Sequence, residues 1–124
     1  MYIRKIEKHY DCGIKVTMDL IGGKWKPCLI NNIHNGIKRP SDLQRAIPYA
    51  SRRSITLQLN ELEEHGIIKK QIFPVLPPKV EYELTEFGHC ILPLTLQMER
   101  WGNEHKERYF AMLDSNSNLD KEAK

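Results

Sequence analysis

Two groups of side chains in this sequence have chemistry to offer. The first is a thiol, Cys12, just ahead of Ile14, Met18 and Ile21, whose spacing predicts a short amphipathic helix. The first turn of a helix has unpaired N–H groups and a partial positive charge. With Lys8, His9 and Lys15 close in sequence, that position favours a thiolate, the form that attacks oxidants and electrophiles. The alternative reading of Cys12 is a small residue half-buried at a helix start. The second group is cationic and polar. A helix is predicted from the N-cap Ser51 to His65-Gly66, and with Ile55, Leu59 and Leu62 facing inward its opposite face presents Arg53, Thr56, Leu57 and Asn60, with Arg52 at the edge. Arg pairs with guanine edges, Asn with adenine, and Thr or Leu touches a thymine methyl, so these types fit a major groove. A lone arginine pair reads equally as a solvated helix start. Here Lys38 and Arg39 precede the helix and Lys69, Lys70 and Lys79 follow it, which makes a phosphate footprint. Glu61, Glu63 and Glu64 lie in the other half of the helix and are expected to point away from a duplex.

Other chemistries are poorly provided for. His9-x-x-Cys12 and His89-Cys90 start metal-ligand patterns that no second close pair completes, so no metal is expected. His34 and His65 fall at helix ends and read as capping residues. Gly22-Gly23-Lys24 resembles part of a phosphate loop but lacks the earlier glycine and the following Ser or Thr. Neither paired carboxylates in an apolar setting nor a nucleophile with a base can be found, so neither an enzyme nor a cofactor is expected. Cys28, among Trp25, Leu29 and Ile33, reads as a core residue; Cys90 lies beside Ile91 and Leu92.

The elements that must hold these groups follow from periodicity and breakers. After the first helix, Gly22-Gly23 turns the chain. A second helix carries Trp25, Leu29 and Ile33, tolerates Pro27 in its first turn and stops at Asn35-Gly36. Ile37-Lys38-Arg39 is a short connection, read as one strand. A third helix starts at Pro40-Ser41-Asp42, runs through Leu43 and Ala46, and is stopped by Pro48. The few residues to Ser51 make the third and fourth helices a helix-turn-helix. The period then changes to that of strands, over Ile67 to Phe73 and Val80 to Leu84, and the loop between them, with three prolines, projects as a hairpin tip. From Thr85 a long helix runs toward Trp101, with Pro93 expected to kink it, and from Ser115 the chain reads as a polar, frayed tail.

At 124 residues, 40% hydrophobic and 28% charged, the chain is read as one globular domain, 1–124, with its core at about 12–105. The fold class is mainly α with a small β-hairpin, a winged helix-turn-helix with extra N- and C-terminal helices for dimerisation. Apolar residues Ile14, Met18, Leu92, Leu96 and Trp101 exceed what so small a core needs, and a homodimer is the outlet. The net charge of +3 permits a nucleic-acid partner. No run is apolar enough to span a bilayer, MYIRKIEKHY lacks the apolar stretch of an export signal, and three scattered cysteines do not form a disulfide framework. No membrane partner and a cytoplasmic location are expected.

Cys12, Gly22-Gly23-Lys24-Trp25, Leu62-Glu63-x-x-Gly66, Tyr82-x-Leu84-Thr85-x-x-Gly88 and Trp101 together resemble the HxlR-type family of bacterial regulators, relatives of the MarR proteins. The resemblance covers about residues 12–105. It implies a winged-helix homodimer on palindromic double-stranded operators, with Cys12 in the position through which several members sense electrophiles or oxidants. Two positions depart from the family pattern: Gly13 where proline is usual, which loosens the helix start, and Pro40 after Arg39 where phenylalanine is usual. The expected sites are therefore Lys38, Arg39, Ser51, Arg52, Arg53, Thr56, Leu57, Asn60 and Lys79 for DNA and Cys12 for redox sensing. The competing function is a non-sensing winged helix used for protein contacts.

Overall fold

A computed structural model describes residues 12–122, with side chains to residue 117. The order is α1 (Gly13–Ile21), α2 (Lys26–His34), α3 (Pro40–Ala46), α4 (Arg52–Glu64), β1 (Ile68–Phe73), β2 (Lys79–Leu84) and α5 (Glu86–Glu122). The helix-turn-helix is α3 and α4, and the antiparallel hairpin β1–β2 is the wing, in register from Ile68 opposite Leu84 to Phe73 opposite Lys79. Among the described residues no helix is long and apolar enough to cross a membrane.

Helix α2 occupies the middle and packs on α3, α4, α5 and β2. Its Leu29 and Ile30 are fully buried together with Leu43 of α3, Leu62 of α4 and Ile67. Each such side chain stabilises the fold by about 1.5–3 kcal/mol. Helix ends follow their local chemistry. Past α2 and α4 the chain closes the same way: Gly36 and Gly66 take φ +97° and +73°, and the amides of Ile37 and Ile67 reach back to the carbonyls of Asn32 and Leu62. That turn drops Ile67 into the core at the head of the hairpin.

Some expectations are corrected. Ile37 to Arg39 form no strand; the segment adds one hydrogen bond to the wing, from Tyr82 N–H to the Lys38 carbonyl at 2.8 Å. The α5 helix, with Pro93 inside it, runs on past Ser115, where the polar sequence predicts a frayed tail. Cys28 is exposed rather than packed in the core. The strands begin at Ile68 and Lys79, one residue from the expected bounds.

Candidate nucleic-acid interface

Ser51 starts α4 as expected, its Oγ accepting from Ser54 N–H at 3.0 Å. Ile55, Gln58, Leu59 and Leu62 form the buried face, while Arg52, Arg53, Thr56, Leu57 and Asn60 are all exposed. The exposed residues form two rows, because residues three and four apart are helix neighbours. Arg53, Leu57 and Asn60 run along the outer face; Arg52 and Thr56 run along the edge that faces the wing.

That edge is one wall of a cleft of about 600 Å³. Ser41 and Gln44 of α3 form a second wall, Lys79 and Val80 of β2 a third, and Arg39 stands at the junction of α3 and the wing. Four expected site residues, Arg39, Arg52, Thr56 and Lys79, thus meet in one concavity. Arg53, Leu57 and Asn60 do not line it. Lys38 is exposed beside the wing. Gln44 donates through Nε2 to the Ala50 carbonyl at 2.7 Å, while its buried Oε1 has no partner among the described residues.

The cations differ in their neighbours. Arg39 Nε lies 3.6 Å from Glu81 Oε1, and Lys69 Nζ lies 2.8 Å from Glu83 Oε1. The hydrogen bond and the charge of Lys69, with Lys38 adding to them, hold the Glu83 carboxyl below the usual carboxylate range. Lys69, counted among the cations available to phosphate, is therefore engaged across the hairpin. Arg52, Arg53 and Lys79 make no ion pair among the described residues.

Sequence reasoning missed how α4 is held. Lys26, only 4% exposed, pairs with Glu61 at 2.5 Å, so that carboxylate faces the body. The Trp25 N–H donates to Gln58 Oε1 at 2.7 Å, and Gln58 Nε2 donates to Ser54 Oγ at 3.1 Å. The Gly22-Gly23-Lys24-Trp25 turn is thereby fastened to the inner face of α4. The available signal was Gln58, a polar residue on an otherwise apolar stripe.

Cys12 is the exposed N-cap of α1. Its carbonyl accepts from Lys15 N–H at 3.0 Å, and its thiol makes no capping bond. Lys8 and His9, expected beside it, lie outside the described residues. Cys28 reaches the surface but is partly surrounded by protein; that partial desolvation first, and the charge of Glu99 second, push its thiol up. Cys90 is exposed on α5. His34 ends α2 and His65 is the C-cap of α4. The described residues contain no cluster of three or more metal-ligating side chains.

Comparison with known proteins agrees with this architecture. The family model described as HxlR-like helix-turn-helix matches residues 20–110. The Bacillus subtilis HTH-type transcriptional regulator YdeP is 43% identical over 97 residues, 78% of this chain and 76% of its own. The redox regulator HypR in its oxidised form superposes with a TM-score of 0.72 at 45% identity, covering 75% of this chain and 96% of that one. Its reduced form gives 0.74 at 41%, covering 81% and 99%. The reduced form of the transcriptional regulator YodB from B. subtilis gives 0.63 at 30%, covering 75% and 92%. A family match across most of the chain, on a helix-turn-helix followed by a hairpin wing, makes this protein a member of the HxlR-like helix-turn-helix family, a winged-helix transcriptional regulator.

Proposed function

We propose that the protein is a non-catalytic, homodimeric repressor of the cytoplasm that binds an inverted-repeat operator through α4 and the wing, and that Cys12 senses oxidants or electrophiles. The observation that carries the DNA reading is the double row on α4. Arg53, Leu57 and Asn60 form an outward row of base-reading types, and Arg52 and Thr56 form a second row that joins Arg39 and Lys79 around the cleft. In this reading the outer row meets base edges, and Lys38, Arg39, Arg52, Thr56 and Lys79 meet phosphates. Ser51 holds the first turn of α4 in place. Arg53→Ala or Asn60→Ala then relaxes base preference at about 1–3 kcal/mol per lost contact. Lys79→Ala weakens all sequences alike and lowers the salt slope by about one. Gel shifts on the protein's own upstream DNA at several salt concentrations check both. Identical sequence profiles for Arg53→Ala and Lys79→Ala would refute the assignment. The alternative, a protein-contact module, predicts no salt-dependent duplex binding.

The sensing reading rests on an exposed thiol at a helix start, uncommitted to capping, in a chain similar to a redox regulator solved in oxidised and reduced forms. Cys12→Ser is expected to bind DNA normally and to stay bound in diamide or methylglyoxal. A mutant that releases DNA as readily as the parent would make Cys12 structural.

A further inference from the structure

A helix seated in the major groove has a sugar-phosphate strand running along each flank, because those strands are the groove's borders. On α4 the flank toward the wing is the Arg52–Thr56 edge, and beside it lies the cleft of about 600 Å³. Its floor is apolar, from Ile55, Leu59 and Val80, and its rim carries Arg39, Arg52 and Lys79. Gln44 Oε1 is an acceptor without a partner, so an anion must sit on the cationic side, away from that wall. Arg52 and Lys79 make no ion pair among the described residues. Arg39 is the exception, since Glu81 holds its Nε at 3.6 Å.

That pair is poorly explained as a fastener. The wing is already attached by the Tyr82–Lys38 backbone bond and by the buried side chains of Tyr82 and Leu84. A single long contact through Nε is also not the two-bond fork that makes an arginine–carboxylate pair strong. It leaves the outer guanidinium nitrogens for a second anion, and it keeps a negative charge next to the path of the strand.

We infer that the cleft is a seat for one backbone phosphate of duplex DNA, and that Glu81 is its resident competitor, an internal anion that shares Arg39 and lowers affinity for every sequence alike. The inference rests on the DNA-binding reading and adds to it a residue that opposes binding. Glu81 loosens the complex without touching base recognition.

The test is duplex binding by the full chain as a function of KCl, for the parent, Glu81→Gln, Arg39→Ala, the double variant and Glu83→Gln, each checked for an unchanged melting temperature. Glu81→Gln is expected to tighten binding about two- to fivefold, on the operator and on unrelated duplex equally, the size of a partly exposed ion pair. Its salt slope should steepen by up to about 0.9, one further phosphate contact. The gain should vanish when Arg39 is already alanine. Glu83→Gln, the same charge change on the same strand but paired with Lys69, should gain less. A gain that survives in Arg39→Ala, or an equal gain from Glu83→Gln, means general charge alone and overturns the seat. No gain from Glu81→Gln in a protein that binds DNA overturns it too. A parent that binds no duplex at any salt fails the DNA reading itself.

Discussion

Lys26 carries a charge on the buried face of α2, and its pairing with Glu61 is unequal: the lysine is 4% exposed, the carboxylate 38%. Removing the carboxylate strands a buried ammonium, whereas removing the lysine leaves a carboxylate that water can reach. Glu61→Gln is therefore expected to cost about 1–3 kcal/mol in urea unfolding, and Lys26→Met, which keeps the volume, clearly less. Equal losses would mean that the ammonium reaches water without Glu61 and that its burial adds no penalty. Cys28 offers a second check. Partial desolvation of this surface-accessible thiol, with Glu99 second, raises its pKa, so the neutral form is favoured in the folded state. That stability is present below the unfolded thiol's pKa and is lost as pH rises through the higher folded one. Its iodoacetamide reactivity in the native protein should reach half-maximum above the ordinary thiol range, and Glu99→Gln should bring the midpoint partway back. The outward setting of Cys28 was available in the sequence but concealed by its neighbours. At 100° per residue it lies roughly 200° from Lys26, around which the buried residues Leu29, Ile30 and Ile33 are centred. A lysine is not the residue from which a reader centres a core.

At the scale of elements, the motifs that carry the family resemblance are largely scaffold. Thr85 Oγ1 donates to the Gly66 carbonyl and accepts from Gly88 N–H at 3.0 Å, tying the end of α4 to the start of α5. A Cβ on Gly88 would stand 2.2 Å from the Ile67 carbonyl oxygen, a backbone atom that cannot move aside alone. Gly88→Ala is expected to destabilise by about 1–3 kcal/mol or more, whereas Ser51→Ala, which loses only a cap, costs about 1 kcal/mol and leaves base preference unchanged. Chemical denaturation separates the two, and equal costs would mean that the Gly88 contact relaxes. Helix-turn-helix and hairpin were legible because period, caps and breakers agree along them. Past Ser115 the structure departs from the polar pattern because polarity reports exposure, not helix content. Once α5 is nucleated each added residue gains a backbone bond without a new nucleation cost. Ile37 to Arg39 misled in the opposite sense: its single bond to Tyr82 leaves it outside the two-stranded sheet.

At the scale of the molecule, α5 carries two apolar stripes where one core needs one. Its inner stripe, including Leu92 and the buried Thr95, rests on α2, where Asn31 Nδ2 donates to the Thr95 carbonyl at 3.1 Å. The other comprises Leu94, Met98, Trp101, Tyr109 and Met112, all exposed and all within an arc of roughly 80° at 100° per residue. Trp101, 61% exposed, stacks on His105 within the same arc. Ile14 and Met18 of α1 are exposed as well, at 73% and 54%. A stripe this long repays burial only against another apolar surface, and a second α5 related by a two-fold axis supplies an identical one. The sequence disclosed the apolar excess but not its partner, since periodicity along one chain shows which face is apolar and not what covers it. In the proposed dimer the two copies of α4 lie on one assembly and are spaced by the α5 contact, so half-site reading depends on residues far from DNA. Trp101→Glu with Tyr109→Glu puts like charges at the centre of that contact. Sedimentation equilibrium should show the parent dimeric at micromolar concentration and the variant's dissociation constant raised at least about a hundredfold, roughly 3 kcal/mol. Circular dichroism should be unchanged. Operator affinity should fall far more than affinity for a single half-site. A monomeric parent, or a variant that loses both affinities equally, would remove α5 as the dimer contact.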